Sequence, residues 1–175
     1  MSDKIESLDL EIFNDMYFGN PQLANFTKMG EEYGVSRDTI RRRLVKYIKT
    51  NFPDIEVDEA DIRNFDMWCS IREAVNDSLT NDELYIFENL EDFTWTMNRT
   101  KFSITNNKNG GVFEYKISKD IYNSIIKHSN NIDDNENFDK VVIEIAIDLI
   151  HIAKRSNNEF SKRDLKRIAV KTLSK

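Results

Sequence analysis

Little in this chain interrupts or cross-links the backbone. Its 175 residues include one cysteine, two prolines and five glycines. The lone Cys69 excludes an internal disulfide and any all-cysteine metal centre, and it points to a reducing cytoplasm. With Pro and Gly scarce, long stretches are free to run as helix, because these two residues disfavour helix interiors most strongly. No apolar run approaches the roughly 20 residues needed to cross a bilayer. Met1-Ser2-Asp3-Lys4 lacks an apolar signal region, so neither secretion nor a membrane partner is expected. Gly-rich phosphate loops, nucleophile elbows and zinc-ligand spacings are also missing, so no catalytic residue, metal or cofactor is expected.

What is present suits a folded, mainly helical protein. Apolar residues make up 39% and charged residues 32%, enough to build a core in one medium domain or two small ones. Abundant Asn, Ile and Lys beside scarce Ala is the bias of AT-rich coding sequences, such as those of many phages. The net charge of −6 is unevenly spread. Residues 27–50 carry +4, residues 53–99 carry −10, and residues 151–175 carry +6. Two basic islands flank an acidic middle, and a phosphate backbone responds to charge within a Debye length of about 8–10 Å, not to the total.

Helical spacing and caps place the elements. Ser7 caps a helix to Phe18, ended by Gly19-Asn20-Pro21; a second helix runs from Gln22 to Tyr33 and a third from Ser36 to Asn51. Phe52-Pro53-Asp54 marks a boundary between a 1–52 module and a 53–175 acidic α+β domain. In the latter, Asp58 caps a helix to Val75, and Thr80–Glu83 forms a capping box opening a helix to Leu90. Phe93 to Ile117 reads as a β-hairpin turning at Asn106–Gly111. Ser118 caps a helix to His128, a polar loop spans Ser129–Asn137, and Phe138–Arg155 is the most apolar helix. Ser161-Lys162-Arg163-Asp164 opens a final basic helix. The fold class is therefore mainly α with one β-hairpin.

Residues 29–44 hold the most specific local pattern. Gly34 suits a left-handed helix end, Val35 is an apolar plug, and Ser36 caps the following helix. Met29 and Tyr33 before the turn share a helix face, as do Ile40 and Leu44 after it, and Gly30 is small where two helices approach. This stretch resembles the helix-turn-helix of bacterial and phage regulators, resolvases, sigma factors and some homing endonucleases. The resemblance implies double-stranded DNA as a partner, read by the second helix in the major groove. Arg37, Asp38, Thr39, Arg41 and Arg42 are then the expected base contacts, since arginine pairs bidentately with guanine. Lys28, Ser36, Arg43, Lys46 and Lys49 are the expected phosphate contacts. Lys162, Arg163, Lys166 and Arg167 form a second basic patch.

The expected function is sequence-specific DNA binding by a transcription regulator in the cytoplasm, the host's if phage-encoded. One module offers few base contacts, so a homodimer or a protein partner such as RNA polymerase is expected. A DNA-processing component delivered by the same module, and a sigma-like factor binding polymerase, are the two alternatives. Elsewhere the plain reading is favoured. Trp95, Phe102, Phe113 and Tyr115 are expected in a core, not as a nucleic-acid platform, and the hairpin closes that core instead of acting as a wing. Cys69 is expected to be buried. Glu144, Asp148, His151 and Arg155 are expected to form the solvent-facing stripe of the apolar helix, not an acid/base or metal site.

Overall fold

The computed structural model describes residues 2–130 and 137–156. They are mainly helical, with seven α-helices and a three-stranded antiparallel sheet. They fall into two compact units, Met1–Asp77 and Ser78–Lys175.

The first unit contains α1 (Ser2–Tyr17), α2 (Phe26–Tyr33), α3 (Arg37–Asn51) and α4 (Phe65–Asp77). α1 starts before the expected cap at Ser7. Gln22 lies in a separate 3-10 turn, Pro21–Leu23, and α2 begins only at Phe26, where the Asn25 side chain accepts the Lys28 N–H. α3 begins as expected behind Ser36. The core of the unit is aromatic. The buried Phe13 ring lies 4.7 Å from Tyr47, 5.6 Å from Phe52 and 5.5 Å from Trp68. Ile40, Leu44 and Ile48 of α3 are also fully buried. Two polar ties run outside this cluster. The Tyr33 hydroxyl donates to Asp15 of α1, and the Arg72 guanidinium donates to the Tyr17 carbonyl while lying 4.6 Å over its ring.

The compact unit thus extends past Phe52 to Asp77, since Trp68 of α4 completes the Phe13 cluster and donates its indole N–H to the Ile62 carbonyl at 2.7 Å. The expected helix start at Asp58 also moves. The Asp58 carboxylate instead accepts the N–H groups of Ala60 and Asp61 in a turn, an arrangement that competes locally with helix. The cap that operates is Asn64, whose side chain accepts the Met67 N–H.

In the second unit, both halves of the Thr80–Glu83 capping box form at the start of α5 (Asn81–Glu88). Strands β1 (Phe93–Asn98), β2 (Lys101–Asn106) and β3 (Val112–Lys116) follow in the order β1-β2-β3. A single hairpin was the expectation, but its first limb folds on itself at Arg99-Thr100. Asn98 accepts both the N–H and the hydroxyl of Thr100, so a side-chain turn replaces the glycine that such bends usually show. Ser118 caps α6 (Lys119–Ser129), and α7 (Phe138–Ser156) packs on it and on β1. Val142, Ile143, Ala146, Ile147 and Ile152 of α7 are fully buried. The sheet aromatics serve this core: Phe102 and Tyr115 are buried, and Trp95 stacks on Phe102 at 5.7 Å with its N–H on Asp139 of α7. Cys69, in the first unit, is half-buried and free.

Trp68→Ala should destabilise the first unit by about 3–5 kcal/mol, the usual range for a buried tryptophan. Denaturant unfolding followed on α1–α3 measures it; a loss below about 1 kcal/mol there would mean that α4 is not part of this core.

Candidate nucleic-acid interface

The α2–α3 connection is set by two glycines and a serine. At Gly34 the backbone is left-handed, with φ 72°. At Gly30 the constraint is space: a Cβ would lie 2.5 Å from the Val35 carbonyl oxygen. Its absence lets the turn fold back on α2, and the Val35 N–H closes onto the Gly30 carbonyl at 2.9 Å. Ser36 Oγ accepts the Thr39 N–H at 3.1 Å, satisfying one of the orphan donors at the start of α3. Asp38 in the first turn and Lys49 in the last have the signs the helix dipole favours.

Burial of Ile40, Leu44 and Ile48 fixes which side of α3 faces out. Asp38, Arg42, Lys46 and Lys49 recur at helical spacing and are all exposed, as are Arg37, Ser36 and Lys28. Thr39 is half-buried, and its hydroxyl bonds both Ser36 Oγ, at 2.9 Å, and the Arg42 guanidinium, at 3.3 Å. The cap therefore also steers Arg42. Arg37 forms an exposed ion pair with Asp38 at 3.7 Å.

Two of the expected contacts point elsewhere. Arg41 donates to the Glu59 carbonyl at 3.1 Å, and Arg43 pairs with Asp9 of α1 at 3.6 Å. Both are half-buried. Arg41 is thus committed to the loop that opens the acidic stretch. In that stretch Asp54, Glu56, Asp61 and Asp66 line a cavity of about 460 Å³, together with Ile55, Asn64, Met67 and Ser70. The exposed cations of α3 are Arg37, Arg42, Lys46 and Lys49. Lys162, Arg163, Lys166 and Arg167 lie outside the described residues.

The second unit holds a constellation that the sequence does not announce. His151 is 5% exposed, whereas the expectation had it facing solvent. Its Nε2 lies 2.9 Å from both oxygens of Glu83, itself 3% exposed, and its Nδ1 lies 3.1 Å from Ser78 Oγ. The Tyr115 hydroxyl donates to Glu83 at 2.9 Å. Burial alone raises the pKa of Glu83. The hydrogen bond and charge of His151, the Thr80 N–H and the Tyr115 hydroxyl outweigh it, and the value falls from 4.5 to about 2. Tyr115 is pushed well above 10 by burial and by the Glu83 charge. Glu144, on the same helix as His151, is exposed as expected, with partial burial pushing its carboxyl up, while Asp148 and Arg155 are half-buried. Among the described residues no three potential ligands converge on a metal position. The Glu83 oxygens accept from Thr80, Tyr115 and His151, so the group is a buried hydrogen-bonded cluster that ties α5, β3 and α7 together.

No family model, curated protein or solved structure matches the chain. Among the described residues no helix is long and apolar enough to cross a membrane.

Two measurements check these geometries. Gly34→Ala should cost about 1–2 kcal/mol, the strain of a left-handed alanine. Gly30→Ala should cost more, since its methyl meets a backbone carbonyl; equal losses in thermal unfolding would contradict the close approach. In the second unit, Glu83 has a depressed pKa, so its stabilisation is complete above pH 4.5 and fades as pH falls towards 2. That loss should reach about 2–3 kcal/mol, and Glu83→Gln should remove this part of the acid dependence. An unchanged pH profile in that variant would show that Glu83 is not held by these bonds.

Proposed function

We propose that the first unit binds double-stranded DNA, with α2 and α3 as a helix-turn-helix and α3 in the major groove. The observation that carries this reading is the pairing of a tight glycine turn with an outward stripe of Arg42, Lys46 and Lys49 on α3. Arg42, steered by Thr39 and Ser36, is the leading base contact, with Arg37 and Asp38 beside it near the start of α3. Lys28, Lys46 and Lys49 serve phosphates, and the Ser36 hydroxyl can donate its proton to one while it caps. Arg41 and Arg43 act as struts, holding the Glu59 loop and α1. The acidic loop lies on the Arg41 side, so the duplex approaches from the Arg42–Lys46 side, away from like-charge repulsion.

A regulator of transcription, acting as a homodimer or with a protein partner, is the finer form of the proposal. A single module of this size makes few base contacts, and paired half-sites supply the missing discrimination.

Duplex binding measured across salt concentrations is the test. Affinity should fall linearly with salt on logarithmic axes, and Lys46→Ala should flatten the slope by about one. Arg42→Ala should cost about 1–3 kcal/mol at the preferred sequence, well above the effect of Arg41→Ala. No binding at low salt, or an inert Arg42→Ala/Lys46→Ala pair, would remove the proposal.

A further inference from the structure

Asn109-Gly110 is the one place in the chain where asparagine precedes glycine. Glycine has no Cβ to crowd its amide nitrogen, so the preceding side chain can approach that nitrogen closely. The two residues sit at the tip of the loop joining β2 to β3, and both are exposed. Water and hydroxide therefore reach them.

The loop folds the Asn109 side chain back over its own peptide bond. Its Oδ1 accepts the Gly111 N–H at 2.8 Å, which turns Cγ toward the Gly110 nitrogen. The same bond draws electrons from Cγ and steadies the oxygen that becomes anionic when a nucleophile adds there. Gly110 is left-handed, with φ 76°, a bend that glycine takes without steric cost. One contact works against reaction. The Gly110 N–H donates to the Asn106 carbonyl at 2.8 Å, and the nitrogen must lose that proton to attack. The reaction therefore runs through brief openings of the tip, which exposed polar turns undergo at low free energy.

We infer that Asn109 is a self-modification site, where the Gly110 nitrogen attacks the Asn109 side-chain amide. Hydroxide removes the Gly110 amide proton, and the nitrogen bonds to Cγ. The Cγ–Nδ2 bond then breaks, and ammonia leaves with a proton from water. The five-membered imide takes up one water. Opening at Cγ gives aspartate; opening at the main-chain carbonyl gives isoaspartate, whose backbone is one carbon longer. Either product sets a carboxylate beside Lys108, which otherwise pairs with Asp92 at 3.2 Å. Isoaspartate also lengthens the span that the Asn106 N–H and the Gly111 carbonyl close at 2.8 Å, next to the Thr105–Val112 pair. Loss of ammonia makes the change one-way, so this turn records elapsed time.

Incubation of the full chain for weeks, at neutral and at mildly alkaline pH, tests the site. Chymotrypsin cuts after Phe102 and Phe113, and the 103–113 fragment should show an amide-to-acid mass gain at Asn109 that the unincubated chain lacks. It should hold both aspartate and isoaspartate, form faster at the higher pH and precede change at any other asparagine. Asn109→Gln, whose attack needs a larger ring, should remove the gain, and Gly110→Ala should slow it, with the fold of both checked by circular dichroism. A synthetic 103–113 peptide should convert faster than the full chain, by the share of time that the tip stays closed. An unaltered Asn109 in the full chain after the peptide has converted overturns the inference. Aspartate without isoaspartate overturns it too, by showing that water attacks the amide directly.

Discussion

In the first unit the turn after α2 folds back onto the helix at Gly30, where a side chain would not fit. The Val35 carbonyl occupies the space where a Cβ would stand. This single contact brings the turn back onto α2 and so sets the height at which α3 begins. From there the periodicity of Ile40, Leu44 and Ile48 dictates the rest, since all three side chains are fully buried. A helix seated by one face has no freedom left to choose what the other shows. Arg42, Lys46 and Lys49 face outward because three aliphatic side chains face inward.

That rotational lock also sorts three adjacent arginines by role. Successive residues differ by about 100° around a helix, so Arg41, Arg42 and Arg43 point in three directions. Arg41 meets the loop carrying Glu59, Arg43 meets α1, and Arg42 alone meets solvent beside its cap. Composition sees a run of three equal charges. The fold makes two of them internal ties and leaves one facing solvent.

Legibility followed locality. α3, its Ser36 cap, the Gly34 turn and the Thr80–Glu83 box were readable because each is settled within four or five residues. The start of α4 was not, because Asp58 and Asn64 are both good caps, and the choice fell to packing of Trp68 sixteen residues beyond the supposed boundary at Phe52. The bend at Arg99-Thr100 was hidden by an Asn doing what Gly commonly does. His151 was misplaced for a different reason. A polar residue on an apolar helix reads as solvent-facing unless its partner is known, and Glu83 is 68 residues away. Glu83 itself already had a complete local explanation as the closing residue of a capping box, which concealed its second role. The one available hint was that His151 sits among isoleucines on both sides, a costly place for a lone imidazole.

The double duty of Glu83 bears on how much this chain can vary. One carboxylate closes the first turn of α5, receives the Tyr115 hydroxyl from β3 and holds His151 of α7. Glutamine keeps the reach but brings a donor where three donors already converge. Aspartate keeps the charge but falls short by a methylene. An apolar residue takes away the partner of His151 Nε2 and the acceptor of the Tyr115 hydroxyl. Any single exchange there disturbs three contacts at once, so restoring the lost stability would take compensating changes at His151 and Tyr115 as well.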